Sequence, residues 1–229
     1  MTRPSDGGTP AQRWEDGDPD RGNGEFYQPI GVGPHPLPWP QGDHYDEALL
    51  AEGDRRNVVD KYRYWSVAAI RADLDATRVP LHVAIENWQH DLNIGSIVRT
   101  ANAFNVSAVH IVGRRRWNRR GAMVTDRYMN IHHHEDANEF AAWAAHCELA
   151  IIGVEQHERS QLLGEFPFPR DCALFLGNEG TGLTAEAVAA CSSLVEIPQS
   201  GSTRSMNASA AGAIAMWGWT LTHARLIHT

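Results

Sequence analysis

A chain of 229 residues has room for one sizeable core plus an extension, and 42% hydrophobic residues exclude a wholly disordered polymer. A formal charge of −8 argues at first sight against a nucleic-acid partner. The charges are segregated, however: residues 1–80 hold 9 basic and 14 acidic side chains, whereas 114–127 carries a net +5. Lys61 stands alone beside 19 arginines, a bias that carries no functional weight in itself. Cys147, Cys172 and Cys191 are widely spaced, odd in number and form no C-x-x-C pair. That pattern fits a reduced, cytoplasmic chain without a zinc site.

Residues 1–40 are rich in Gly, Pro, Asp and Arg and end in Pro34-His-Pro-Leu-Pro-Trp-Pro40. Such a stretch buries too little apolar surface to offset its ordering entropy, so a disordered tail is expected, clamped at most near Trp39. It has no apolar run of the kind that marks a signal peptide. From 41 to 80 the apolar residues Leu49, Leu50, Val58, Tyr62, Trp65, Ala69 and Ile70 recur at helical spacing, which predicts a helical extension docked on a main domain. From Leu81 strands alternate with helices: strands at 81–85, 108–112, 149–154, 172–176 and 194–197, helices at 93–104, 137–147, 184–190 and 206–226. The class implied over 81–229 is α/β, a parallel sheet with helices on both faces. The uncharged run Ser205–Thr222 is broken by Asn207, Ser209, Gly212 and Gly218, so it reads as a tightly packed helix and not a membrane span.

Three segments put polar side chains beside glycines after apolar runs, where an open α/β sheet carries its ligand. They are Asn93-Ile-Gly-Ser-Ile-Val-Arg99-Thr-Ala, Leu176-Gly-Asn-Glu-Gly-Thr-Gly-Leu183 and Ile197-Pro-Gln-Ser-Gly-Ser-Thr-Arg-Ser-Met-Asn207. Alone, each has an ordinary account: a capped helix with Arg99 in a surface ion pair, a turn needing positive φ, and an N-capped core helix. Arg99 follows Asn93 by six positions, and Gly95 permits the tight first turn that lets both reach one end of the sheet. Glu179, set between glycines at a strand end, calls for a specific partner.

Taken in order, the segments resemble the three signature motifs of the SpoU–TrmH family, RNA ribose 2′-O-methyltransferases of the SPOUT superfamily. The patterns N-x-G-x-x-x-R-T-A, G-N-E-G-x-G-L and I-P-x-x-G-x-x-x-S-x-N cover about two-thirds of the chain, 81–229. The resemblance implies a C-terminal deep trefoil knot, a homodimer and S-adenosyl-L-methionine as cofactor. It further implies that Arg99 is the catalytic arginine, that Asn93 shapes the cofactor pocket and that Glu179 braces the knot loops. Ser205 and Asn207 would line the transfer site, and Leu176, Gly177, Ile197 and Met206 would hold the adenine and ribose. The small-residue helix 206–221 becomes knot and interface material. Met206 and Ala208 stand where leucine and valine are commoner, and neither change removes a reactive group.

The basic stretch Arg114, Arg115, Arg116, Trp117, Arg119 and Arg120 reads as an RNA footprint, with Trp117 placed to stack on a base. Its plainer reading is a solvated loop. His132-His-His134 is not read as a metal site, because adjacent residues on a strand face opposite ways. The motifs leave the nucleotide open. The runs 151–156 and 195–199 look like the branch that methylates a D-loop guanosine of tRNA, which is favoured; Arg204-Ser-Met-Asn207 also looks like the wobble-ribose branch. A 23S rRNA target and a non-catalytic knotted RNA-binding factor are the alternatives.

Overall fold

The computed structural model describes residues 31–88 and 93–223. Most of the expected disordered tail, and the expected helical residues 224–226, therefore lie outside the described residues. The chain divides between Tyr64 and Trp65 into two compact units.

In the first unit, α1 (Glu47–Glu52) begins at Asp46, whose carboxylate accepts from the Ala48 and Leu49 amides. Residues 31–40, expected to lack order, are tied down here. The Val32 amide donates to the Asp54 carbonyl at 2.8 Å, and the Tyr64 hydroxyl donates to the Gly33 carbonyl at 2.7 Å. Asp54 is fully buried and accepts a bidentate pair from Arg56 at 2.8 and 2.7 Å plus the backbone amides of Arg56 and Tyr64. Burial raises its pKa, but these hydrogen bonds outweigh that and hold it at about 2.

The second unit opens with α2 (Val67–Asp75), capped by Ser66. Arg71 joins it to the loop around Asn130 at 2.8 Å. The sheet contains β1 (Val79–Asn87), β2 (Val106–Gly113), β3 (Ile131–His134), β4 (Ala150–Val154), β5 (Gln161–Leu162), β6 (Cys172–Leu176) and β7 (Ser193–Glu196). Its order is β3-β2-β1-β6-β4-β7-β5, with every pairing parallel. Four helices alternate with the strands: α3 (Asn93–Ala103), α4 (Ala137–His146), α5 (Ala185–Ala190) and α6 (Ala208–Thr222).

Side-chain alternation along the strands splits the core in two. Leu81, Val83 and Ile85 of β1, with Leu174 and Leu176 of β6, pack with Ile94, Ile97 and Val98 of α3 and Met216 and Trp219 of α6. Ala84 of β1, with Ala173 and Phe175 of β6, packs with Phe140 and Ala144 of α4 and Ala187 of α5. Both faces are therefore covered, as the alternation implied. Each fully buried large aliphatic side chain contributes about 1.5–3 kcal/mol, so the central strands anchor the fold.

Two strands escaped the sequence reading. The Ile-His-His-His run of β3 lacks apolar alternation and is recruited by pairing with β2, and β5 spans only two residues. β1 starts at Val79 and runs through Asn87, longer than expected, because Glu86 and Asn87 are fully buried as hydrogen-bonding groups at its end. The last helix starts at Ala208, with Asn207 as its cap. Among the described residues no helix is long and apolar enough to cross a membrane.

Candidate functional site

The C-terminal ends of β1, β4, β6 and β7 gather side chains of the three motifs at one edge of the sheet. β1 is the switch point: β2 and β3 lie to one side of it and β6 and β4 to the other, the place where such sheets open a crevice. Asn93 begins α3, Glu179 stands in the loop after β6, and Asn207 caps α6. These three, one from each motif, close a ring. Asn93 Nδ2 donates to Glu179 Oε2, Asn207 Nδ2 donates to Glu179 Oε1, and Asn207 Nδ2 also donates to Asn93 Oδ1, each at 2.7 Å. Asn207 Oδ1 is fixed as an acceptor because it caps the Ser209 and Ala210 amides at 3.0 and 3.3 Å. Its amide N–H groups must then face Glu179 and Asn93, so the carboxylate has the partner its position called for.

The glycine loop after β6 is built on its own backbone. A Cβ on Gly177 would run into the carbonyl carbon of Gly182 and the amide of Leu183. Asn178 and Gly182 exchange backbone hydrogen bonds at 3.2 and 3.0 Å, and Asn178 Oδ1 accepts from the Gly180 and Thr181 amides. Gly182 sits at φ 70°, the left-handed region open to glycine. Two carboxylates that the sequence reading gave no role hold this loop from outside. Glu155 Oε2 accepts from the Leu183 amide at 2.8 Å. The fully buried Glu86 accepts from both the amide and the hydroxyl of Thr184 at 2.8 Å, and from Trp88 Nε1 at 3.0 Å. Nothing in a single sequence separates Glu86 from a surface glutamate; only the pairing of β1 with β6 brings it to the start of α5.

Against this frame lies a cavity of about 290 Å³. Leu176, Gly177, Glu179, Ile197, Ser205 and Met206, all expected at the site, line it, together with Glu155 and Glu196. Asn93 and Asn207 stand behind it, joined through Glu179. Arg99 is not on the cavity wall. It is exposed on α3, one helical turn after Gly95, and forms no ion pair with another described residue.

The loop between β2 and β3 packs on that same helix. A Cβ on Gly95 would meet the Gly121 Cα and the Ala122 amide at 2.8 Å, so the 3-10 turn Arg120–Ala122 rests directly on the first turn of α3. The loop is rooted by Asn87, whose side-chain amide donates to the Arg114 and Arg116 carbonyls at 2.5 and 2.9 Å. Arg114, Arg115, Arg116, Arg119 and Arg120 are exposed. Arg119 lies 5.5 Å from the centre of the Trp117 ring and 3.4 Å from Asp126. Trp117 itself is half-buried and packs against the core, so one part of its ring already has a partner within the chain.

A model of the SpoU rRNA methylase family matches residues 80–217, a span that holds the ring, the cavity and the arginine loop. The chain belongs to the SpoU family. It is 27% identical over 146 residues to the tRNA (guanosine(18)-2′-O)-methyltransferase of Escherichia coli, covering 62% of this chain and 64% of that one. It is 41% identical over 70 residues to the mouse tRNA (guanosine(18)-2′-O)-methyltransferase TARBP1, covering 31% of this chain and 4% of that one. The fold is similar to the SpoU methyltransferase AviRb of Streptomyces viridochromogenes, solved in complex with the cofactor AdoMet. That likeness has a TM-score of 0.58 at 22% identity and covers 67% of this chain and 64% of that one. The chain thus spans less than two-thirds of the length of these relatives.

One cluster in this SpoU-family chain lies outside the motifs. His82 Nδ1 is 3.0 Å from His110 Nε2, and His110 Nδ1 is 2.9 Å from His134 Nε2, a chain of imidazoles across β1, β2 and β3. Trp143 of α4 covers it, 4.3 Å from His110 between ring centres. Desolvation lowers the pKa of His82 to about 4 and of His110 to about 2, with repulsion from neighbouring histidines adding to it. Each link needs one donor and one acceptor nitrogen, so neutral rings suit the chain. His110 turns different nitrogens to its two neighbours, so the three rings do not converge on one point as metal ligands must. Burial also pushes the Cys172 and Cys191 thiols up to about 12, which makes them inert at neutral pH.

Proposed function

We propose that this chain is an S-adenosyl-L-methionine-dependent RNA ribose 2′-O-methyltransferase that acts as a homodimer, with a D-loop guanosine of tRNA as the favoured target. The Asn93–Glu179–Asn207 ring carries the reading, because it joins all three motifs across one cavity. The cavity suits the cofactor: Leu176, Ile197 and Met206 offer apolar walls for an adenine, Gly177 lets the backbone come close, and Glu155 and Glu196 suit a cationic ligand. Its volume is at the low end of the roughly 300–1,000 Å³ common for small-molecule sites. When bound, the sulfonium supplies an electrophilic methyl group.

The chain's own task is to align a weak nucleophile and to stabilise the charge that develops on it. A guanidinium is a permanent cation with no acceptor, so Arg99 is assigned to gripping the phosphate beside the reacting ribose and stabilising its oxygen. The hydroxyl proton then leaves to phosphate, water or a nearby side chain. The exposed arginines of the β2–β3 loop would hold the RNA backbone. Ile214, Trp217 and Leu221 form an exposed apolar stripe on α6, which supports a second copy as the covering partner. A deep trefoil knot formed by the segments after β6, and a cytoplasmic setting, complete the proposal.

Incubating unmodified tRNA and 23S rRNA with the protein and isotope-labelled S-adenosyl-L-methionine, followed by nucleoside mass spectrometry, tests it. A labelled 2′-O-methylguanosine from the tRNA D-loop is expected. Label in rRNA alone would move the target to the ribosome. Cofactor binding without label in either RNA would remove the tRNA and rRNA targets. No affinity for the cofactor would favour a non-catalytic RNA-binding factor.

A further inference from the structure

Two apolar side chains stand exposed at the tip of the arginine loop. Met123 and Val124 have φ of 47° and 71°, consecutive non-glycine residues in the left-handed region, and the second is β-branched. For a β-branched residue this conformation is a genuine outlier. Burial does not compensate it: Met123 is 58% exposed and Val124 49%.

The tip is nonetheless held firmly. Ala122 beneath it is fully buried, the Thr125 hydroxyl donates to the Ala122 carbonyl at 2.7 Å, and the Arg127 amide donates to the Val124 carbonyl at 3.2 Å. A Cβ on Gly121 would meet the Ser96 amide at 2.9 Å, so the base of the tip rests on α3 within one turn of Arg99. Arg119, Arg120 and Arg127 flank the two residues along the loop and are all exposed. A fixed apolar point inside a fence of cations matches a ligand with apolar faces joined by phosphates, which is single-stranded nucleic acid. Paired duplex keeps its base faces stacked and offers the point nothing to enter.

We infer that Met123 and Val124 form an apolar prong that packs against unstacked bases next to the target ribose, while the flanking arginines hold the phosphates. The inference rests on the methyltransferase reading and adds to it the residues that hold the bases beside the target unstacked. The strained backbone is what turns both side chains outward together.

The test uses the full chain and two labelled RNAs, a hairpin with a single-stranded loop and a blunt duplex of equal charge. Met123→Ser combined with Val124→Gly removes the prong and relieves the φ strain at position 124. Hairpin affinity is expected to fall about tenfold, the loss of roughly one base stack. Duplex affinity, the salt dependence of binding and the calorimetric affinity for S-adenosylhomocysteine are expected to stay unchanged. The Met123→Ser single variant, with an expected loss of about threefold, gives the answer if the double variant melts early. Equal losses on both RNAs, or a flatter salt dependence, would show that the tip only positions arginines and would overturn the prong. A changed mass by light scattering would assign the tip to a contact between copies and overturn it as well. Wild-type protein that binds neither RNA would sink the methyltransferase reading itself, and the prong with it.

Discussion

The cavity edge and the arginine loop leave the same sheet at the same end, yet they are built on opposite principles. At the cavity the carboxylates that frame it are paired within the chain: Glu179 with two asparagines, Glu155 with Leu183, Glu86 with Thr184. In the loop the roots are paired through Asn87 and His133, while the cations face solvent and, Arg119 with Asp126 apart, form no ion pair with another described residue. A preorganised frame suits a small ligand, because little ordering remains to oppose binding. Unpaired arginines suit a polyanion, which supplies the missing partners and releases its own counterions. Arg99 stands between the two regions, on the helix that supports both.

That placement makes Arg99 the sharpest test of the contrast. Arg99→Ala is expected to lower single-turnover methyl transfer by about 10²–10³-fold with unchanged cofactor affinity, because one charge stabiliser is lost and the cavity is untouched. Arg99→Lys keeps the charge but loses the planar fork, and near-full turnover in that variant would remove the bidentate assignment. Glu179→Gln probes the cavity frame. A glutamine has one acceptor oxygen, so its amide must meet an asparagine amide donor to donor. About 1–3 kcal/mol of that frame is expected to disappear, read as a 10- to 100-fold weaker calorimetric affinity for S-adenosyl-L-methionine with RNA binding intact. Replacing Arg115, Arg116 and Arg119 together gives the mirror result. The slope of log K against log salt for tRNA should flatten by about 2–3, with cofactor affinity preserved. Loss of cofactor affinity in this variant would dissolve the distinction between the two regions.

How much of this was legible in the sequence differs between the regions for physical reasons. Asn93, Glu179 and Asn207 lie in motifs whose glycines and strand ends mark them, and hydrogen bonds join them directly. The strands with continuous apolar runs, such as Cys172–Leu176, were readable because burial on both faces leaves that signature. β3 was not, because its order comes from pairing and histidine contacts. Glu86 and Glu155 carry no local mark, because their partners lie 98 and 28 residues away, a long-range fact that no local pattern encodes. The arginine neighbours of Trp117 predict base stacking, while its packing against the core depends on the course of the loop. Met123 and Val124 gave no signal at all, since backbone φ is absent from composition.

The smallest effect concerns acid, and it too separates the two regions. His82 and His110 have folded pKa values of about 4 and about 2, below the usual 6.5 of an exposed imidazole. Below pH 6.5 the unfolded chain therefore binds more protons than the folded one, and stability falls as pH falls, by about 1.4 kcal/mol per pH unit per histidine. Their contribution is fully present above pH 6.5 and is lost towards the folded values. The chain spans β1, β2 and β3, and His133 adds a contact to the Gly113 carbonyl at 2.7 Å, so this edge carries the roots of the arginine loop. The cavity itself is lined from β6, β4 and β7, which carry none of these rings. Amide exchange at pH 5 is accordingly expected to quicken first in Val106–Gly113 and Ile131–His134, while Cys172–Leu176 stays protected. His110→Phe fills the site beside Phe140 and Trp143 but leaves two imidazole nitrogens without partners. It should be less stable at pH 7.5 and lose stability less steeply between pH 6.5 and 5. An unchanged steepness in urea titrations would mean that acid enters elsewhere, and uniform exchange across the sheet would mean that its two edges unfold as one.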